Sequence, residues 1–286
     1  MFLPDNLCSL LLRPPAADVR LMLRLVELLV FVGAILVFRT GVFSHSYNKL
    51  LSKGLDLQLS GNPVEAEKCY RSALDMGTKV PEPDQVRLRV CLGDALIDQS
   101  RYSEAQQYLT QALALVDPTG SGQGSMCDLL LAQKRDPEKA IEMADEAMRL
   151  QARASSDQAF GSRWAAVSQE FLEARTWARK AKALHLLDRE TEAQQALDRA
   201  VRIVETSKSE MDQAMPQASL TARLILGNRL QRLKGLTIAD TYWRIGLALL
   251  DMQDKTRATE FFKVVRDTDP MGKYRNLAQK QLDRIA

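Results

Sequence analysis

The sequence predicts an all-α fold: a solenoid of helical hairpins preceded by one transmembrane helix. Three observations lead there. A small residue is followed twelve residues later by Ala in four stretches, Gly54/Ala66, Gly93/Ala105, Ala181/Ala193 and Gly246/Ala258. A pattern that returns in this way marks stacked supersecondary units rather than one closed core. No sustained apolar/polar alternation between turn signals competes with it, so strands are not expected. Residues 21–38, LMLRLVELLVFVGAILVF, form the one long apolar stretch. At about 1.5 Å per residue they reach roughly the thickness of a bilayer's hydrocarbon core.

From the amino end, residues 1–20 form a short leading segment and 21–40 the expected span. Leu28 to Phe38 carries no charge and is apolar all round, unlike a surface helix with a polar face. Arg24 and Glu27 interrupt its start three residues apart, close enough on a helix to pair, and Arg24 can snorkel to the headgroups. A cleaved signal peptide fits less well, because Arg39-Thr40-Gly41 offers no small-x-small site. Lys and Arg nearly tie on the two flanks, so charge does not set the side. Cys8, Cys69, Cys91 and Cys127 form no C-x-x-C pair, and the three after the span read as small core residues, which leans toward a reducing, cytoplasmic side.

The repeat domain is expected over 44–286, with units near 47–80, 86–118, 121–152, 174–206 and 239–272. The fullest unit holds Tyr242, Ile245, Gly246 and Leu249, a polar turn at Asp251–Lys255, then Ala258, Phe262 and Asp269-Pro270. It resembles the tetratricopeptide repeat, whose pattern is W-x2-L-G-x2-Y, then A-x3-F, then P. Earlier units keep this grammar: Leu50, Gly54, Leu57, Ala66, Tyr70 and Ala73; then Leu92, Gly93, Leu96, Ala105, Leu109 and Ala112; then Trp177, Ala181, Leu184, Ala193, Leu197 and Ala200. Cys127 to Leu150 gives a fainter copy, with Leu131, Ala140, Ala144 and Ala147. The expected packing sets small against small, Gly246 facing Ala258, with Tyr242 and Phe262 filling the space beside them. Breaker-rich stretches at Gly77–Pro83 and Asp117–Ser125 read as connectors, with Gly120-Ser-Gly-Gln-Gly124 as a flexible one. Wider spacing implies an insertion around Arg153–Glu170 and leaves room for a sixth, divergent unit near 211–236.

Chemistry is sparse. There is no phosphate-binding glycine loop, no H-E-x-x-H and no G-x-S-x-G. His45 and His185 are isolated, so no metal, no cofactor and no catalytic residue are expected. The net charge of +3 is too small to imply nucleic acid. Residues 41–150 carry 12 basic against 16 acidic groups and 151–286 carry 23 against 17, an acidic front and a basic back.

The resemblance implies a protein partner held in a groove lined by the first helix of each hairpin, with no catalysis. Arg175, Arg179 and Lys182 share one helical face, continued by His185, and would suit an acidic peptide segment. Leu51, Leu55 and Leu247 are the apolar groove candidates. A second basic run, Arg223, Arg229, Arg232 and Lys234, reads as a solvated face. The expected function is therefore a membrane-anchored, single-pass scaffold or assembly factor for protein–protein interaction. The alternative is a non-catalytic accessory subunit of a membrane or envelope enzyme complex.

Overall fold

The computed structural model describes residues 46–115, 117, 119–157, 163–214 and 220–285, without side chains at 154–157, 163–167, 211–214, 220–231 and 233. The expected span at 21–38 lies outside the described residues. Among the described residues no helix is long and apolar enough to cross a membrane.

These residues form five helical hairpins and a closing helix, and no strand occurs among them. The hairpins are α1 (46–59) with α2 (Pro63–Leu74), α3 (Glu82–Asp98) with α4 (Tyr102–Leu113), α5 (Ser121–Gln133) with α6 (Pro137–Asp157), α7 (Arg163–His185) with α8 (Glu190–Ala214), and α9 (Leu220–Asp251) with α10 (Lys255–Thr268). The last helix, α11 (Lys273–Ile285), packs on α10. Each hairpin packs on the next, and the buried apolar residues run along the stack from Tyr47 to Ala278.

One turn recurs in all five hairpins. The first helix ends four residues after a leucine, at a residue of positive φ: Gly61 after Leu57, Ser100 after Leu96, Lys134 after Leu130, Asp188 after Leu184 and Gln253 after Leu249. In each, the next N–H donates back to that leucine's carbonyl, from Asn62, Arg101, Arg135, Arg189 and Asp254, at 2.9–3.1 Å. The positive-φ residue itself donates to the carbonyl one position past the leucine, at 2.9–3.2 Å. These two bonds define the Schellman motif, which satisfies carbonyls a helix end leaves without partners. The second helix then opens with an alanine N–H donating to the turn: Ala66, Ala105, Ala140, Ala193 and Ala258. Only the third turn holds an extra residue, Asp136, also at positive φ. That insertion shifts the register and hides the third unit from a fixed-spacing reading.

The expected small-against-small packing is corrected. The space above each of the three repeat glycines is filled by a large residue sixteen positions on. A Cβ on Gly54 would stand 2.4 Å from the Tyr70 ring, on Gly93 2.6 Å from Leu109, and on Gly246 2.7 Å from Phe262. Tyr70, Leu109 and Phe262 are each fully buried. Burying such a side chain contributes about 1.5–3 kcal/mol, so the glycine works as a socket for it. No aromatic ring faces the narrower sockets. Ala181 has Leu197 at this position, and Cys127, in the shifted unit, clusters with Ala144.

Two further expectations change. Gly120-Ser-Gly-Gln-Gly124 is no flexible connector: Ser121 opens α5, with Gly122 and Gly124 buried on it. The Asp117 carboxylate holds that helix start, accepting from the Gly122 N–H at 2.8 Å and the Ser121 hydroxyl at 3.0 Å. Residues 220–251 form one continuous helix of 32 residues, so no separate hairpin turns within them. The wide spacing there comes from longer helices, 23 residues in α7, 25 in α8 and 32 in α9.

Candidate binding groove

First helices line a groove of about 280 Å³. Its wall is built from Gln58 of α1, Asp94, Ile97 and Asp98 of α3, Asp128 and Leu131 of α5, Arg179 and Lys182 of α7, Trp243, Arg244 and Leu247 of α9, and Tyr274 and Leu277 of α11. The sequence register explains most of this. Asp94, Asp128, Lys182 and Leu247 all stand two residues before the leucine of their turn, so the second to fifth hairpins deliver the same position to the same face.

An ion-pair chain runs across the wall. Arg179 is buried, and its guanidinium donates from Nε and Nη2 to the two oxygens of Asp128 at 2.9 and 2.8 Å. Arg244 donates to Asp128 at 2.6 Å and to Asp240 at 3.0 Å. Asp240 also accepts from Arg175 and, at 2.9 Å, from the Tyr274 hydroxyl. Burial alone would raise the Asp240 carboxyl, but Arg244 and Arg175 beside it hold it well below the usual carboxylate range. Asp128 is lowered in the same way, burial being outweighed by Arg179 and Arg244. At the rim Lys273 pairs with Asp98 at 2.6 Å, and Gln58 donates to the same carboxylate at 3.3 Å. Helices α1, α3 and α11 thus meet there.

Asp94 differs. Burial raises its carboxyl to about 6, Asp128 and Asp98 adding to the rise while a hydrogen bond with Ser125 and the charge of Arg244 oppose it. The folded chain therefore holds a proton there that an unfolded Asp, near 3.8, has released. The stability this proton contributes is fully present below that unfolded value and is lost as pH rises through about 6. Relative to the native chain, Asp94→Asn is expected to gain on the order of 2 kcal/mol between pH 4 and 7. Paired denaturation curves at stepped pH check this; a flat difference would place Asp94 in an ordinary solvated setting.

The candidate residues are placed as follows. Arg179, Lys182 and Leu247 line the groove. Arg175 lies one helical turn before Arg179 and spends its charge on Asp240. Lys182 pairs with Asp251 at 2.8 Å. His185 turns away to Glu190 across the hairpin turn, at 2.8 Å. Leu51 is corrected: it is buried in the N-terminal core, and Leu55 packs against the same core, so Gln58 carries the groove face of α1. Glu170 and Glu173, one turn earlier on α7, accept from Ser207 and Trp177. In the second basic run Arg232 is exposed and Lys234 half-buried, while the side chains of Arg223 and Arg229 lie outside the described residues.

Residues 46–117 and 174–204 match sequence models of the tetratricopeptide repeat. Those two stretches carry tetratricopeptide repeats. The third and fifth hairpins lie outside those two matches, yet they repeat the same turn, bond for bond. A solved tetratricopeptide repeat protein from Parabacteroides merdae is 17% identical, with a TM-score of 0.33, over 84% of this chain and 99% of its own. That likeness is too slight to carry an argument. No curated protein matches the sequence.

The residues that sequence reasoning missed are the acids and aromatics facing the basic helix. Gly124 belongs with them. A Cβ there would stand 3.0 Å from Arg179 Nη1, so the glycine is what admits the guanidinium to Asp128. Gly124→Leu is expected to cost about 1–3 kcal/mol or more through overpacking. Urea denaturation measures it; no loss would mean that Arg179 needs no room there.

Proposed function

We propose that this chain is a membrane-anchored scaffold that holds a protein partner in the groove of its tetratricopeptide repeats, with no catalysis of its own. The observation that carries this reading is the groove itself. Five hairpins and α11 turn their first-helix positions to one concave wall, where Trp243, Leu247 and Leu277 offer apolar surface beside fixed charges. Repeat stacks present such walls as extended binding surfaces. The anchoring part rests on the uncharged run Leu28–Phe38.

Site-specific photocrosslinking in membranes tests it. A photoreactive residue at Leu247 is expected to capture a protein partner, while one at Val64, exposed on α2, captures none. Equal capture at both positions would remove the groove from the account. Deleting residues 1–40 is expected to release the chain from carbonate-washed membranes; release of the full-length chain by carbonate alone would remove the anchor.

A further inference from the structure

The pairing inside the groove decides what sort of partner fits. Arg175, Arg179, Lys182, Arg244 and Lys273 each already hold a carboxylate of this chain. Among the described residues, the one groove carboxylate with no ion pair is Asp94, which has the Ser125 hydroxyl beside it.

We propose that the groove receives a short segment presenting one basic group, a Lys or Arg side chain or a free amino terminus, to Asp94. This rests on the reading of the groove as the binding face, and it reverses the acidic peptide that the basic helix alone suggests. An incoming carboxylate would find Nε and Nη2 of Arg179 already taken by Asp128, and displacing Asp128 from that fork would swap one charge-assisted pair for another and leave the buried Asp128 on Arg244 alone. Such an exchange gains little. An incoming cation breaks no bond. It gives Asp94 its missing counter-charge where water is partly excluded, so a charge-assisted hydrogen bond is strong. The methylene stem of a Lys or Arg would lie along Ile97, Leu247 and Leu277, the apolar part of the same wall. A volume of about 280 Å³ admits a few side chains, which suits a short stretch of chain.

The test is selection of a random seven-residue phage-display library on the full-length chain in detergent, followed by calorimetry with the synthetic winners. The expected winners share a Lys or Arg whose replacement by norleucine weakens binding at least tenfold. Asp94→Asn should weaken the parent peptide by the same factor and leave the norleucine analogue unchanged. That variant removes an unpaired, partly buried charge and keeps the shape, so folding is preserved; thermal melts confirm this. Leu247→Gln, at a half-buried position, reports whether the peptide sits in the groove at all. Winners rich in Asp or Glu, or basic winners indifferent to Asp94→Asn yet weakened by Leu247→Gln, overturn the inference and leave the groove reading standing. Winners indifferent to Leu247→Gln, or no enrichment over an unrelated bait, overturn both.

Discussion

Asp128→Ala is expected to cost about 3–5 kcal/mol of stability, the range for removing one member of a buried ion pair. Arg179 is only 8% exposed, and its fork has no other acceptor among the described hydrogen bonds. The loss comes mainly from the guanidinium left behind, since the net value of a buried pair is small. Two comparisons make this specific. Arg244→Ala should cost less, because Asp128 keeps Arg179 and Asp240 keeps Arg175 and Tyr274. Asp128→Ala combined with Arg179→Leu should recover part of the loss, since no charge is then stranded. Denaturant titration of the four proteins reads all of this. A loss under 1 kcal/mol for Asp128→Ala would show that water reaches Arg179 freely.

Phe262→Ala should cost a similar amount, about 3–5 kcal/mol for a buried Phe that leaves a cavity. The informative partner is Gly246→Ala. Ala normally gains about 1 kcal/mol over Gly inside a helix. Here the added methyl would stand 2.7 Å from the Phe262 ring, so the change is expected to destabilise. With Phe262 already replaced by Ala the socket is empty, and Gly246→Ala should then be neutral or stabilising. The coupling between the two sites should exceed about 1 kcal/mol, as for residues in direct contact. Additive effects would mean that the glycine is kept for a reason other than the ring.

How much of this the sequence shows depends on the range of the interaction. Gly54, Gly93 and Gly246 announce the hairpins because a glycine inside a helix is costly unless something needs its space. The occupant lies sixteen residues on, and reading the alanine at twelve instead points to the wrong neighbour. The third hairpin is faint because Asp136 shifts its register and Cys127 replaces the glycine, a change that only the small Ala144 explains. The groove charges were half legible. Arg175, Arg179 and Lys182 share a face in any helix, but their partners Asp240, Asp128 and Asp251 lie 51 to 69 positions away in sequence. Carrying the position of Lys182 from unit to unit would have found Asp94 and Asp128. No sequence rule would have found Lys273 opposite Asp98.

That last contact changes how the domain should come apart. In an open array each hairpin leans only on its neighbours, and the two ends fray before the middle. Here Asp98 takes a bond from Lys273, 175 positions away, and another from Gln58. The closing helix is thus tied through Asp98 to the first two hairpins, so loosening either end also loosens the other. Amide exchange should then report α1 and α11 opening together, and Lys273→Ala should weaken that coupling.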